Sequence, residues 1–168
     1  MKPIYLCGFM GCGKSHIGRL LSKKLSAELI DLDKHIEDVE GMSIPDIFKE
    51  KGEPYFRKRE ADCIKSFKEG VVVATGGGAL LREETALFAK DNGTVFFINT
   101  AFETCYGRIK SDKNRPLAVN STKEQLQELF DKRFPIYQKN SDYSIDGEKT
   151  DIEIAQAIID ILNTPERK

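Results

Sequence analysis

Five short apolar runs punctuate the chain, and the longer segments between them mix polar and apolar residues. The runs lie at 4–7, 27–30, 71–74, 95–98 and 143–145. Those at 71–74 and 95–98 are continuously apolar, which is typical of central strands buried on both faces. Strands that alternate with helical segments predict an α/β fold in which helices cover both faces of a parallel sheet.

Helix signals stand between these runs. Apolar residues at 17, 20, 21 and 25 recur at helical spacing, so a helix is predicted behind the segment 8–15. Ser43 is expected to cap a helix that ends at Gly52, and the next helix is predicted from about Glu53 to Phe67. A C-terminal helix is expected to bury six apolar residues against the sheet, namely Ile152, Ile154, Ala155, Ile158, Ile159 and Leu162.

Composition narrows the class of protein. The 168 residues fit one domain, 1–168. A formal net charge of −1 gives no overall positive potential, which disfavours a protein that coats nucleic acid. The four cysteines form no C-x-x-C pair, and the N-terminal residues show neither a secretory signal nor a segment long enough to span a bilayer. We therefore expect a cytoplasmic monomer with free thiols that binds neither membrane nor nucleic acid.

The segment 8–15, Gly-Phe-Met-Gly-Cys-Gly-Lys-Ser, carries the most specific chemical signal. It fits the phosphate-binding P-loop pattern G-x-x-x-x-G-K-[ST], and it lies between a predicted strand and a predicted helix, as that motif requires. Its glycines let backbone N–H groups turn towards phosphates at the N-terminus of the helix. Lys14 is expected to reach the β- and γ-phosphates of a nucleoside triphosphate, and Ser15 to ligate Mg²⁺.

Two further segments follow predicted strands, which is where ligands bind in open α/β sheets. Asp31 and Asp33 follow the second run, and alternation along a strand end would point both carboxylates the same way. One would then hold Mg²⁺ through water while the other accepts a hydroxyl hydrogen; alternatively, Asp33 is the N-cap of a helix that begins near Lys34. The glycines at 76–78 permit a ligand to approach the backbone closely.

Cations are concentrated in the segment 108–117, which has almost no apolar content and is therefore not expected to bury itself. We interpret it as a lid that closes over phosphates and excludes water; the alternative is a solvated charged loop. Three arginines stand in distinctive surroundings: Arg57 in GEPYFRKRE, Arg115 in RPL and Arg133 in RFPIY. Guanidinium groups bind carboxylate or phosphate through two parallel hydrogen bonds. Taken singly, each arginine would be an ordinary surface ion-pair partner, and only the surrounding pattern favours a role in binding.

These segments form an ordered set: GFMGCGKS at 8–15, DLD at 31–33, GEPYFRKRE at 52–60, ATGGGA at 74–79, RPL at 115–117 and RFPIY at 133–137. On this set, the chain closely resembles the shikimate kinase family along nearly its whole length. The resemblance implies a three-layer α/β/α P-loop kinase fold with a central five-stranded parallel sheet and a mobile lid at about 108–118. It also implies transfer of the γ-phosphate of ATP to the 3-hydroxyl of shikimate, which gives shikimate 3-phosphate and ADP on the route to chorismate.

The resemblance further implies roles for individual residues. In the substrate-binding segment, about 32–60, and beyond it, shikimate would contact Asp33, Arg57, Gly76, Gly77, Gly78 and Arg133, with the two arginines on its carboxylate. The nucleotide would contact Gly11, Cys12, Gly13, Lys14, Ser15, His16, Arg108 and Arg115, with Arg108 against the adenine. The catalytic residues would be Lys14, Asp33 and Arg115. Mg²⁺ would be held by Ser15 directly and by Asp31 through water.

Two other functions are weighed against this interpretation. A related hydroxy-acid kinase, similar to gluconate kinase, would share the P-loop, but the ordered set that includes Asp33, Arg57 and Arg133 argues against it. A nucleotide-binding module without catalysis is disfavoured because the chain keeps every part that phosphoryl transfer needs.

Overall fold

The structure is a computed structural model that describes residues 1–113 and 116–165. Its elements follow in this order: β1 (Ile4–Cys7), α1 (Lys14–Leu25), β2 (Glu28–Asp31), α2 (Leu32–Glu40), α3 (Ile44–Lys51), α4 (Glu53–Ser66), β3 (Val71–Ala74), α5 (Glu83–Asn92), β4 (Thr94–Asn99), α6 (Phe102–Ile109), α7 (Pro116–Asn120), α8 (Lys123–Lys139), β5 (Tyr143–Asp146) and α9 (Asp151–Asn163). All five predicted strands are confirmed, and their ends differ from the predicted ones by one residue at most.

The sheet has the strand order β2-β3-β1-β4-β5, and every neighbouring pair is parallel. Ala74, the last residue of β3, is paired with Leu6 of β1 on one side and with Asp31 of β2 on the other. Because parallel strands end at the same edge of a sheet, the loops that follow β1, β2 and β3 meet there. This edge therefore collects the P-loop, the two aspartates and the glycine-rich segment.

The core lies on both faces of the three central strands. Ile4, Val72 and Phe96 are fully buried, whereas the edge strands β2 and β5 are partly exposed. Each large apolar side chain buried in this way contributes about 1.5–3 kcal/mol to stability, which explains the continuous apolar runs. The four cysteines are buried free thiols, as predicted. In the described part of the chain, no helix is both long and apolar enough to cross a bilayer.

The helices α3 and α4 begin and end largely as predicted. The Ser43 side chain accepts a hydrogen bond of 3.3 Å from the Asp46 N–H at the start of α3, and Gly52 lies between α3 and α4 with a φ of +85°. α4 ends at Ser66, one residue before the predicted end. Ser43 therefore sets the start of α3, and Gly52 sets the break between α3 and α4.

Two expectations about individual residues are wrong. Asp31, and not Asp33, is the N-cap of α2: its carboxylate accepts a hydrogen bond of 3.2 Å from the Lys34 N–H, and Asp33 lies in the first helical turn. The two carboxylates do not alternate along one strand either, because β2 ends at Asp31 and Asp33 belongs to α2. In α9, Ile152 is 65% exposed and not part of the core, because its position in the first turn faces away from the sheet.

The predicted lid begins inside a packed helix. Arg108 and Ile109 are the last two residues of α6, and Ile109 is buried because its side chain packs into the main core. The expectation that the whole segment 108–117 cannot bury itself is therefore wrong at its start. The segment ends in α7, and residues 114 and 115 lie outside the described residues.

Candidate functional site

The P-loop connects β1 to α1, as its sequence context predicted. Gly8, Gly11 and Gly13 have φ values of +146°, +80° and +102°, in a region that side chains strongly disfavour. A Cβ atom at Gly11 would also lie only 2.8 Å from the Cys105 carbonyl oxygen. Both backbone conformation and space therefore demand glycine here, and the loop keeps its open curvature at the N-terminus of α1.

Lys14 lies along the inside of this loop. Its Nζ donates hydrogen bonds of 2.7 Å to the Gly8 carbonyl and 3.2 Å to the Phe9 carbonyl. Cys12, predicted as a nucleotide contact, is 2% exposed, and its backbone N–H donates to the Phe9 carbonyl at 3.1 Å. Hydrogen bonds from the lysine ammonium and from the Cys12 N–H thus hold the loop together from within.

A cavity of about 520 Å³, called the inner cavity below, opens beside the loop. Its walls come from the P-loop and the start of α1, from the two aspartates, from the end of β3, from the end of α6 and from the start of α9. The lining residues are Met10, Gly11, Gly13–His16, Asp31, Asp33, Ala74–Gly77, Arg108, Ile109, Asp112 and Asp151. The structure therefore brings six of the eight predicted nucleotide residues to one space with Asp33, namely Gly11, Gly13, Lys14, Ser15, His16 and Arg108.

The pKa of the Asp33 carboxyl group in this cavity is raised above its usual value. Burial raises the pKa of its carboxyl group, and the neighbouring Asp31 carboxylate raises it further, while Lys14 and Arg57 oppose the shift. Asp33 therefore holds a proton more readily than an exposed aspartate, which is the property that a proton acceptor for a hydroxyl group requires.

Three of the residues predicted to bind shikimate meet at the glycines 76–78. Each glycine lies against a different charged side chain: Asp33 beside Gly76, Arg133 beside Gly77 and Arg57 beside Gly78. A Cβ atom at Gly76 would lie 2.7 Å from an Asp33 carboxylate oxygen, and one at Gly77 would lie 3.2 Å from an Arg133 nitrogen. None of the three has a positive φ, so glycine is needed here for space and not for conformation.

The two arginines do not line the inner cavity. Arg57 and Arg133 instead line a neighbouring cavity of about 350 Å³, called the outer cavity below, which begins at Gly78. Gly76 and Gly77 line the inner cavity and Gly78 lines the outer one, so the two cavities adjoin at the glycine segment. The aspartates and the P-loop lysine line the first, and the two guanidinium groups line the second.

Glu60 is a site residue that the sequence analysis missed. It is 2% exposed and accepts a hydrogen bond of 2.6 Å from Arg57 Nη1. Burial raises its pKa to about 7, although Arg57 acts in the opposite direction. A usable signal was its position three residues after Arg57, which places both side chains on one face of a helix.

Tyr137 and Asn140 were also missed, and both fix the backbone around the glycines. The Tyr137 hydroxyl donates a hydrogen bond of 2.5 Å to the Gly77 carbonyl, and Asn140 Nδ2 donates one of 2.9 Å to the Leu80 carbonyl. They follow Arg133 by four and seven positions, so a helix through RFPIY would have aligned all three on one face. α8 and its C-cap therefore position the segment that the arginine reaches.

The remaining predicted nucleotide residues are placed as follows. Arg108 donates a hydrogen bond of 2.9 Å to the Gly11 carbonyl across the inner cavity, and His16 is exposed at its margin. Arg115 lies outside the described residues. Asp151, at the start of α9, lines the same cavity, although nothing in the pattern of residues 146–151 singled it out.

Comparison with known proteins identifies relatives along almost the whole chain. A family model described as shikimate kinase matches residues 10–163. A shikimate kinase from Persephonella marina is 48% identical over 139 residues, which cover 82% of this chain and 84% of that protein. A structure of shikimate kinase from Acinetobacter baumannii in complex with shikimate matches with a TM-score of 0.89 at 36% identity, over 100% of this chain and 96% of that one. A deoxyadenosine kinase from M. mycoides, 16% identical with a TM-score of 0.65 over 96% of this chain and 100% of that one, shares the fold.

Proposed function

This chain belongs to the shikimate kinase family, and we propose that it transfers the γ-phosphate of ATP to the 3-hydroxyl group of shikimate, giving shikimate 3-phosphate and ADP. The observation that carries the proposal is the contact of three charged side chains with three consecutive glycines. Asp33 stands on the side of the P-loop, and Arg133 and Arg57 stand on the side of the outer cavity.

This arrangement suits an acceptor that carries a carboxylate at one end and hydroxyl groups at the other. Arg57 and Arg133 supply the planar donors that bind a carboxylate, and Asp33 supplies an acceptor for hydroxyl hydrogens. The bare backbone of the glycine segment lets the ring lie between them. We propose that shikimate spans the segment in this direction, so that a hydroxyl group faces the inner cavity.

Asp33 orients the attacking hydroxyl group and accepts its proton. Its raised pKa strengthens it as a base, because the carboxylate gains more from protonation than an exposed one does. Phosphoryl transfer passes through a loose transition state, so the correct position of the hydroxyl group contributes as much as basicity.

Lys14 and Arg108 act on the nucleotide. The Lys14 ammonium, now hydrogen-bonded to the Gly8 and Phe9 carbonyls, lies within the loop that cradles the β- and γ-phosphates and offsets charge on the transferring group. Arg108 lines the same cavity and packs against the adenine. Arg115 adds a further cation near the γ-phosphate in the proposal taken from the sequence.

The residues present fit Mg²⁺. Ser15 and Asp31 offer oxygen ligands on the wall of the inner cavity, and one or two protein oxygens that share the ion with phosphates and water are its usual environment. The described residues contain no cluster of three or more His, Cys, Asp or Glu side chains of the kind that holds a metal alone. When bound there, Mg²⁺ would neutralise charge on the β- and γ-phosphates.

The test is release of ADP from MgATP by the purified protein, with shikimate, gluconate or no acceptor in parallel. We expect release that depends on shikimate, and identification of shikimate 3-phosphate by mass spectrometry. Release with gluconate alone would instead support the hydroxy-acid kinase, and ATP binding without turnover would support the module without catalysis. The monomeric state and the cytoplasmic location stay predictions, the former checked by analytical ultracentrifugation.

A further inference from the structure

The outer cavity contains more positive charge than a carboxylate clamp needs. Its wall carries four cations and one carboxylate: Arg57, Arg82, Lys132, Arg133 and Glu53. Glu53 lies 3.5 Å from Arg57 Nε, and Glu60 binds the same guanidinium group from the other side. Arg57 therefore already has two carboxyl partners, whereas Arg82, Lys132 and Arg133 supply positive charge in addition to it.

Arg82 and Lys132 have no ion-pair partner within 4.0 Å among residues 1–113 and 116–165. The carboxylates next to them in sequence are engaged elsewhere: Glu83 with Lys139, Glu84 with Lys65 and Asp131 with Gln127. Two exposed cations at the margin of one cavity thus stay unpaired although acidic residues stand beside both.

The same cavity has an apolar wall. Leu81 comes from the segment before α5, and Leu129 and Ile136 come from α8, all three partly buried. A wall of aliphatic side chains below a margin of cations matches a small cyclic acid, whose ring contacts the apolar surface while its carboxylate faces the cations. Inorganic anions such as phosphate would gain nothing from that wall.

We propose that Arg82 and Lys132 form an outer carboxylate site, where the incoming cyclic acid is attracted before its carboxylate passes to Arg57 and Arg133. This inference rests on the proposed function, because shikimate is the cyclic acid in question. All four cations line the outer cavity. The exposed Arg82 and Lys132 therefore extend the positive potential around Arg57 and Arg133 towards solvent. Such a field increases both the association rate and the affinity of an anion.

A set of variants tests the outer site. The double variant R82Q/K132Q removes both charges and keeps polar side chains of similar length, and R82K/K132R restores the charges. The matched control is K23Q/K24Q in the last turn of α1, which lies at the opposite edge of the sheet. Each protein is assayed for the KM of shikimate, the KM of ATP and kcat, and shikimate binding without ATP is measured by calorimetry, at about 0.1 M and about 1 M salt, where the Debye length is about 10 Å and about 3 Å.

For R82Q/K132Q at the lower salt concentration, we expect the KM and Kd of shikimate to rise by about fivefold, with kcat and the KM of ATP unchanged. At the higher concentration the difference from the wild type should largely vanish, because ions screen exposed charges. R82K/K132R and K23Q/K24Q should bind shikimate as the wild type does.

A shikimate Kd within twofold of the wild-type value at the lower salt concentration would overturn the outer site, and so would an increase of equal size at both concentrations. Failure of the proposed function has a different signature. A wild-type protein that binds shikimate without transferring phosphate would refute that function, and the ratio of the two Kd values would still decide the outer site.

Discussion

The nucleotide side and the acceptor side of this site are built in opposite ways. The phosphate-binding part of the nucleotide side is one continuous segment, 8–15, whose backbone curvature and lysine come from neighbouring residues. The acceptor side takes Asp33 from α2, Arg57 from α4 and Arg133 from α8, and they meet at the glycines after β3. A local motif keeps its shape through its own backbone, whereas a dispersed site depends on helices that fix each side chain separately.

Glycine serves the two sides for different reasons. In the P-loop, positive φ values make glycine a conformational requirement, and in the segment 76–78 the backbone is ordinary but the space beside it is filled by charged groups. Substitutions in the first should disturb phosphate binding, and those in the second should disturb the acceptor.

Lys14→Met should abolish most catalysis while leaving the fold intact. The lysine touches only the loop in the described structure, and its charge is needed where the transferring group develops negative charge. We expect kcat to fall by about 10²-fold or more, with an unchanged midpoint of thermal unfolding measured by calorimetry. Turnover near the wild-type level would remove Lys14 from the proposed mechanism.

Arg133→Ala should affect the acceptor and spare the nucleotide. Loss of one guanidinium group from the clamp should raise the KM of shikimate by about 30-fold, or about 2 kcal/mol, and leave the KM of ATP unchanged. Steady-state kinetics with each substrate varied in turn measures both values. The neighbouring Lys132→Ala is the control for loss of a cation on the same helix, with a smaller and salt-dependent effect.

Gly76→Ala tests space against conformation on the acceptor side. The added Cβ atom would lie 2.7 Å from Asp33 Oδ1, so the carboxylate has to move from its place in the inner cavity. We expect kcat/KM for shikimate to fall by about tenfold, as a small displacement of the reacting groups does elsewhere. Gly107→Ala is the control, because a Cβ atom there meets nothing within 4 Å; equal losses in the two variants would contradict the crowding argument.

Glu60→Gln should change how stability depends on pH. The pKa of Glu60 is raised from 4.5 to about 7 by burial, so the folded state binds its proton in a range where the unfolded chain has lost it. The contribution of the protonated group is complete below pH 4.5 and is lost as the pH rises through about 7. We expect the wild type to lose about 2 kcal/mol relative to Glu60→Gln between pH 5 and pH 7.

Denaturant unfolding at several pH values measures this difference. Glu128→Gln, at an exposed position on α8, supplies the control and should track the wild type. A constant difference between the wild type and Glu60→Gln across this range would show that Glu60 keeps an ordinary pKa beside Arg57.

Local chemistry made several parts of the molecule predictable from sequence. The continuous apolar runs predicted the central strands, since burial on both faces leaves no room for polar residues, and Ser43 predicted the start of α3 through its hydroxyl. The two aspartates show the limit of such reasoning. Their spacing suited a strand, yet the chain turns into a helix at Asp31, because that carboxylate caps the free Lys34 N–H.

Local sequence was enough to predict the five strands, four of the helices and the phosphate loop, since periodicity, caps and glycine conformation act between neighbouring residues. Tertiary packing was needed to bury Glu60 against Arg57, to bring the Tyr137 hydroxyl to the Gly77 carbonyl, and to place Asp33, Arg133 and Arg57 against three consecutive glycines. These contacts join residues of separate elements in a packed interior. Their geometry is fixed by how the helices sit on the sheet, which no short segment of the chain specifies.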